Sequence, residues 1–155
     1  MKIRKNRLWQ LPVYYLAASW LSFYVLMAVN SLLVRKTVNS QGLTELSRNP
    51  LISHFTGIGV LLAVLLLGGL FIAAKMSRAE AAVSAGVLTL IYFIWVLLEL
   101  IFPGWDRMLF FVHYLMTLNG ELNSLLFEIT GNLGLSALLS CLTPLLFIPF
   151  GKKNI

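Results

Sequence analysis

The sequence LISHFTGIGVLLAVLLLGGLFIAA, at residues 51–74, decides the fold class. It contains no Asp, Glu, Lys or Arg. An α-helix rises 1.5 Å per residue, so this stretch would form a helix about 36 Å long, enough to cross a hydrocarbon core about 30 Å thick. The stretch therefore predicts a transmembrane helix.

Three more apolar stretches are long enough to cross a bilayer, and the last of them contains Pro144 and Pro149, which can bend or fray a helix. The four predicted spans are residues 11–34, 51–74, 81–102 and 124–150. A short polar link, residues 75–80, joins the second span to the third, and so short a link predicts that these two helices are antiparallel neighbours.

The segment before the last span, residues 105–119, is apolar but too short to cross the bilayer. We interpret it as a short helix in the membrane interface, with re-entry into the membrane as the open alternative. The predicted fold is therefore all-α: one integral membrane domain, residues 1–155, built as a four-helix bundle with an additional short interfacial helix before the last span.

The composition excludes a water-soluble globular protein. Of the residues, 59% are hydrophobic and 12% are charged, with a mean hydropathy of +0.85, whereas soluble domains average about 45–50% apolar and about 25% charged residues. The net charge is +6, but the basic residues flank the apolar stretches instead of clustering. We therefore predict a lipid bilayer as the surroundings and no binding to nucleic acid.

The distribution of basic residues predicts the orientation. With the N-terminus inside, eight Lys and Arg residues lie on the inner side and four, at positions 35, 36, 48 and 107, on the outer side. Since basic residues favour the cytoplasmic side, we predict a multi-pass protein of the cell membrane with both termini in the cytoplasm. The basic N-terminus is typical of a signal peptide, but residues 11–34 are too long an apolar run for one, so we expect an uncleaved first span.

Glu99 is the most prominent candidate for a functional side chain, because it is the only carboxylate well inside a clearly predicted span. An acid at the centre of a transmembrane helix costs about 2.5–3.5 kcal/mol, and less near the end, where Glu99 lies. Arg35 and Lys36 would lie at a similar depth and are candidate ion-pair partners. The alternatives are a carboxylate hydrated at the interface and a carboxylate used in transport or catalysis.

A second candidate is a stripe of polar residues with helical spacing. Its members, separated by 4, 4, 3, 4 and 4 positions, are His113, Thr117, Glu121, Ser124, Glu128 and Asn132. On one continuous helix they would share a face. That face could line a water-filled cavity, bind a cation or contact a polar partner, but an amphipathic interfacial helix has the same pattern. Gly120, inside the run, is a potential break in the helix.

The sequence predicts no metal site and no cofactor. His54, His113, Glu99 and Glu121 do not have the spacing of metal ligands, and the single cysteine, Cys141, lies in an apolar stretch. The motifs Gly-x-Ser-x-Gly and His-Glu-x-x-His and the Walker loop are absent, so we assign no catalytic residue.

Small residues in the spans predict helix packing, since they allow two backbones to approach closely. These candidates are Gly57, Gly59, Gly68, Gly69, Ala82, Gly86, Gly131 and Gly134.

Three functions fit the sequence. The preferred one is a noncatalytic accessory, regulatory or immunity-type subunit that binds another membrane protein, or itself as a homo-oligomer. The first alternative is a small oligomeric transporter or channel that uses Glu99 or the polar stripe. The second is a membrane enzyme that acts on a lipid-linked substrate, with Glu121, Glu128 and His113 as acid–base groups.

Overall fold

The computed structural model describes residues 5–38, 44–47, 50–102 and 114–153. Its α-helices are α1 (Lys5–Leu8), α2 (Gln10–Leu33), α3 (Pro50–Phe71), α4 (Arg78–Ile101), α5 (Thr117–Thr130) and α6 (Leu133–Ser140). Two 3₁₀ helices, Ala73–Lys75 and Thr143–Phe150, follow α3 and α6. Between α2 and α3, the strands β1 (Arg35–Val38) and β2 (Thr44–Ser47) pair as an antiparallel hairpin, with Arg35 opposite Ser47.

Four helical stretches are long and apolar enough to cross a membrane: Gln10–Leu33, Ile52–Lys75, Arg78–Ile101 and Leu133–Phe150. They confirm the predicted all-α bundle and indicate a multi-pass membrane protein. Large apolar side chains cover the outside of the bundle; Leu32 is 84% exposed and Ile129 is 74% exposed. Such a surface is stable in contact with lipid and not in contact with water.

The interior of the bundle is partly polar. Ser19, Ser84, Ser136 and Thr143 are buried, and the Ser84 hydroxyl donates a hydrogen bond to the Leu8 carbonyl oxygen over 2.5 Å. Small hydroxyl side chains let helices approach closely and supply hydrogen bonds where the hydrophobic effect no longer drives helix association. An apolar exterior around a partly polar interior is the arrangement expected of a membrane bundle.

The prediction that the second and third spans are neighbours is wrong: in the described part of the chain, α3 and α4 share no extended contact. The 3₁₀ helix Thr143–Phe150 packs along α4 and also contacts α3. Its Phe147 and Phe150 rings lie against Gly68 and Gly69 of α3. A short link fixes only the ends of two helices, and here the aromatic rings occupy the space beside the glycines.

The last span begins later than the predicted span over residues 124–150. Gly131 ends α5 with a left-handed φ of 64°, and the Asn132 side chain caps α6 by accepting a hydrogen bond from the Leu135 N–H over 3.0 Å. The span therefore begins at Leu133. From Thr143 onward the chain is a 3₁₀ helix that contains both prolines. At about 2.0 Å per residue, its eight residues extend about 16 Å instead of the roughly 12 Å of an α-helix, which lengthens a short span.

Both described chain ends lie beside the link between α3 and α4. The Arg7 side chain donates to the Lys75 carbonyl oxygen, the Arg78 N–H to the Lys152 carbonyl oxygen over 3.0 Å, and the Lys152 N–H to the Met76 carbonyl oxygen over 3.0 Å. We call this part of the bundle the basic end, after Arg7, Lys75, Arg78, Lys152 and Lys153, and the opposite part, with β1, β2 and the start of α3, the hairpin end.

The small residues predicted to pack have different surroundings. Gly68 and Gly69 contact aromatic rings, Gly57 contacts the Glu121 carboxylate, and Gly134 approaches Leu100. For Gly59 and Gly86 the packing role stays a prediction, because apart from the helix's own backbone no described atom lies within 4 Å of where their side chain would begin. Gly131 instead adopts the left-handed φ of 64° that ends α5. Ala82, on α4, is half-buried.

Candidate functional site

The first turn of α5 lies near the middle of the bundle. The Leu118 N–H donates to the Ser19 hydroxyl over 3.3 Å, and the Tyr92 hydroxyl donates to the Leu115 carbonyl oxygen over 3.0 Å. Ser19 is nine residues, or about 14 Å, from the start of α2. From there α5 runs toward the hairpin end, since its Glu128 contacts His54 near the start of α3.

This position bears on the alternative that the sequence left open for residues 105–119. Residues 103–113 lie outside the described part of the chain. Phe102 lies at the hairpin end of α4, whereas the rings of Tyr114 and Phe23 meet in an edge-to-face contact, with centroids 4.3 Å apart, inside the bundle. The described part of this segment, residues 114–119, therefore lies inside the bundle. Whether residues 105–113 lie in the interface or re-enter the membrane stays a prediction.

A buried polar cluster lies at the first turn of α5. It consists of Tyr15, Asn119 and Ser140, and we call it the Asn119 cluster. The Tyr15 hydroxyl donates to Asn119 Oδ1 over 2.7 Å, and Asn119 Nδ2 donates to the Ser140 carbonyl oxygen over 3.1 Å. Asn119 is only 1% exposed. Because an unpaired amide inside a bundle is costly, these bonds hold the start of α5 against α2 and α6.

A cavity of about 600 Å³ extends from the Asn119 cluster toward the hairpin end. Its size is that of a small-molecule site. Aromatic side chains of α2 and α4, Phe23 and Trp95, form part of its wall. The polar side chains that line it are Asn30, Glu99, Thr117, Asn119, Glu121, Asn123 and Ser140.

Two of the carboxylates that the sequence singled out, Glu99 and Glu121, line this one cavity. Glu99 is exposed in the last turn of α4. Glu121 is half-buried on α5, and its carboxylate lies against Gly57 of α3, where a larger residue would overlap it. The predicted pairing of Glu99 with Arg35 or Lys36 involves side chains outside the described part, so it stays a prediction.

The other members of the polar stripe are in different places. Glu128 is paired with His54 of α3 and does not line the cavity. Asn132 caps α6 and lies beyond the end of α5, so it does not share the helix face. Thr117 lines the cavity, and Gly120 does not break α5. His113 lies outside the described residues.

Sequence reasoning did not assign the Asn119 cluster, Asn123 or Trp95 to a site. Asn119 and Asn123 belong to a run of polar residues, but only the position of α5 in the bundle shows that they face the interior. The buried Asn123 Oδ1 has no hydrogen-bond partner among the described residues. A buried acceptor in a cavity wall is a ready partner for a bound polar group.

No family model, curated protein or solved structure matches the chain. The function must therefore be argued from the cavity itself. Two carboxylates, amide groups and two aromatic rings together form the wall of one cavity. Such a wall is suited to binding a cation, and especially an organic ammonium group.

Proposed function

We propose that this membrane protein is a small transporter that binds an organic cation in the cavity between α2, α4 and α5. The observation that supports this most is that Glu99 and Glu121 line one cavity together with Trp95 and Phe23. Carboxylates inside a membrane protein are costly, and functional sites are where that cost is retained.

Each part of the wall has a role in this proposal. Glu99, exposed in the last turn of α4, attracts the cation to the cavity, and Glu121 provides a second carboxylate group deeper inside. The Trp95 and Phe23 rings contact alkyl groups and the positive charge through their π-faces. Asn123, with its buried acceptor, receives an N–H of a primary ammonium. The Asn119 cluster closes the cavity toward the basic end.

The test uses the full chain in lipid nanodiscs, with ethylammonium and tetramethylammonium as probes and sodium as the inorganic comparison. We expect saturable binding of an organic cation. For ethylammonium, which can donate N–H hydrogen bonds, binding should be at least tenfold weaker in Glu99→Gln and in Glu121→Gln, because a hydrogen bond to a charged group contributes about 1.5–3 kcal/mol. Glu128→Gln is the matched control, since it removes one carboxylate that does not line the cavity. We expect this variant to bind like the parent protein.

The transport step is measured separately as counterflow of the labelled cation in liposomes. We expect flux in the parent protein and its loss in Glu99→Gln. Absence of cation binding, or equal weakening in Glu128→Gln, would refute the proposal. Binding without flux would refute transport and leave a cation-binding protein.

A second candidate, a subunit that binds another membrane protein or a second copy of the chain, has one observation in its favour. Gly59 is exposed on α3 and has open space beside it among the described residues. A glycine on the lipid-facing surface allows the backbone of another transmembrane helix to come close.

A further inference from the structure

A second concave surface lies at the basic end, between the first turn of α2 and the last turn of α3. It is an open groove with a volume of about 530 Å³, lined by both polar and apolar side chains. Gln10 and Lys75 form the rim, and Trp9, Val13 and Phe71 contribute to the wall. It is separate from the cavity lined by Glu99, which shares none of these residues.

The charge beside this groove is strongly positive. Lys75 is exposed on the rim, and Arg7 lies next to it, with its guanidinium bonded to the Lys75 carbonyl oxygen. Of the described residues at this end, the one acid is Glu80, whose carboxylate accepts the Ser77 N–H over 2.9 Å in the cap of α4. The groove is therefore complementary to an anion.

The wall of the groove is complementary to hydrocarbon. Trp9 is 68% exposed and Phe71 is 62% exposed, and both lie at the ends of apolar spans, where aromatic residues mark the boundary between headgroups and acyl chains. Val13 continues the wall one turn further into the span. The positively charged donors of the rim would face the phosphate of a phospholipid, and the apolar wall would face its acyl chains.

We propose that this groove binds one anionic glycerophospholipid of the surrounding bilayer. Its phosphate lies beside the Lys75 ammonium, with the Gln10 amide and the Trp9 indole N–H as further donors, and one acyl chain follows Val13 and Phe71. Basic pockets between transmembrane helices bind anionic headgroups in this way. The lipid would bridge the start of α2 and the end of α3, which both line the groove.

The experiment measures lipid retention by the intact protein with native mass spectrometry, using phosphatidylglycerol and phosphatidylcholine with the same acyl chains. We expect phosphatidylglycerol to bind more tightly, and Lys75→Gln to weaken it about fivefold, the equivalent of about 1 kcal/mol per basic residue. Lys153→Gln is the matched control: it removes the same charge at the same end but outside the groove. We expect little change in that variant.

Three results would overturn the proposal: equal affinity for the two lipids, equal weakening in both Lys variants, or displacement of the lipid by inorganic phosphate. The first would remove headgroup selectivity, the second would leave only the general charge of this end, and the third would indicate a site for a free anion.

Lys75 is exposed, so its substitution should not unfold the chain; the thermal unfolding of both variants checks this. Neither variant touches the cation cavity.

Discussion

At the scale of single residues, glycines of one helix have distinct roles. Gly68 of α3 is buried against the rings of Tyr14 and Phe147, whereas Gly59 of the same helix is exposed with open space beside it. Tyr14 is itself fixed, since its hydroxyl donates to the Val64 carbonyl oxygen over 2.8 Å. A methyl group at position 68 would therefore meet rings that cannot easily move aside.

We expect Gly68→Ala to lower the free energy of unfolding by about 1–3 kcal/mol, because overpacking a close contact forces rings and backbone to shift. Gly59→Ala is the control; it should leave stability unchanged or slightly raise it, since alanine is the better helix former. The measurement is the unfolding of both variants in the same detergent. Equal destabilisation of the two variants would contradict the packing described for Gly68.

At the scale of the elements, the depth of α5 is the feature to test. The Leu118 N–H contacts the Ser19 hydroxyl, whereas Ser31 is twelve residues, or about 18 Å, further along α2. A helix lying in the interface at the hairpin end would place Leu118 near Ser31 instead. The two locations are therefore distinguishable by cross-linking.

In a Cys141→Ala background, which removes the only cysteine, we expect the pair Ser19→Cys and Leu118→Cys to form a disulfide on oxidation. The 3.3 Å contact of the Leu118 N–H with the Ser19 hydroxyl brings the two backbones close, and a disulfide usually needs a Cα separation of about 4.4–6.8 Å. The pair Ser31→Cys and Leu118→Cys should stay reduced. Intact-mass measurement after thiol alkylation scores both pairs, and the reverse outcome would place the start of α5 at the interface.

The spans could be predicted because length and hydropathy determine them, with no knowledge of neighbours. Their arrangement could not. Which helix fills the space beside Gly68 and Gly69 depends on Phe147 and Phe150, about eighty residues away in sequence. The 3₁₀ form of the last span was indicated only indirectly by Pro144 and Pro149.

The candidate site was predictable in part for the same reason. Glu99 and Glu121 stand out as acids in or near apolar stretches, and the structure brings both to one cavity. Asn132 shows where periodicity fails, because the spacing that places it on the stripe takes no account of the left-handed Gly131 before it. Asn119 has no distinguishing signal in the sequence, since its role depends on Tyr15, over a hundred residues earlier.

At the scale of the whole molecule, the contacts of Arg7 and Lys152 place both described chain ends at the basic end. Because basic residues favour the cytoplasmic side, we expect this end to face the cytoplasm. In the Cys141→Ala background, the variants Lys75→Cys and Lys153→Cys should react with a membrane-impermeant maleimide only after the membrane is permeabilised. A cysteine at Glu45, in β2 at the hairpin end, should react in intact cells.

The reaction of the maleimide with intact cells also distinguishes two ways in which this expectation can fail: the two chain ends lie at opposite ends of the bundle, or the bundle has the opposite orientation in the membrane. Reaction at Lys153 but not at Lys75 would contradict the shared end itself. Reaction at both, with Glu45 protected, would keep the bundle and reverse its orientation in the membrane.

The Asn119 cluster has a consequence for the electric field. A polar cavity of about 600 Å³ has room for water, and we expect that water to carry the electrical potential of the hairpin side down to Asn119, near the middle of the bundle. The membrane voltage then falls mainly across the packed layer between Asn119 and the basic end, where Tyr15 and Phe147 are fully buried. The electrical work on one elementary charge that crosses a potential of 100 mV is about 2.3 kcal/mol. Most of this work would be done in the packed layer, and little of it along the cavity. Voltage would therefore act on the passage of a cation past Tyr15 more than on its binding near Glu99.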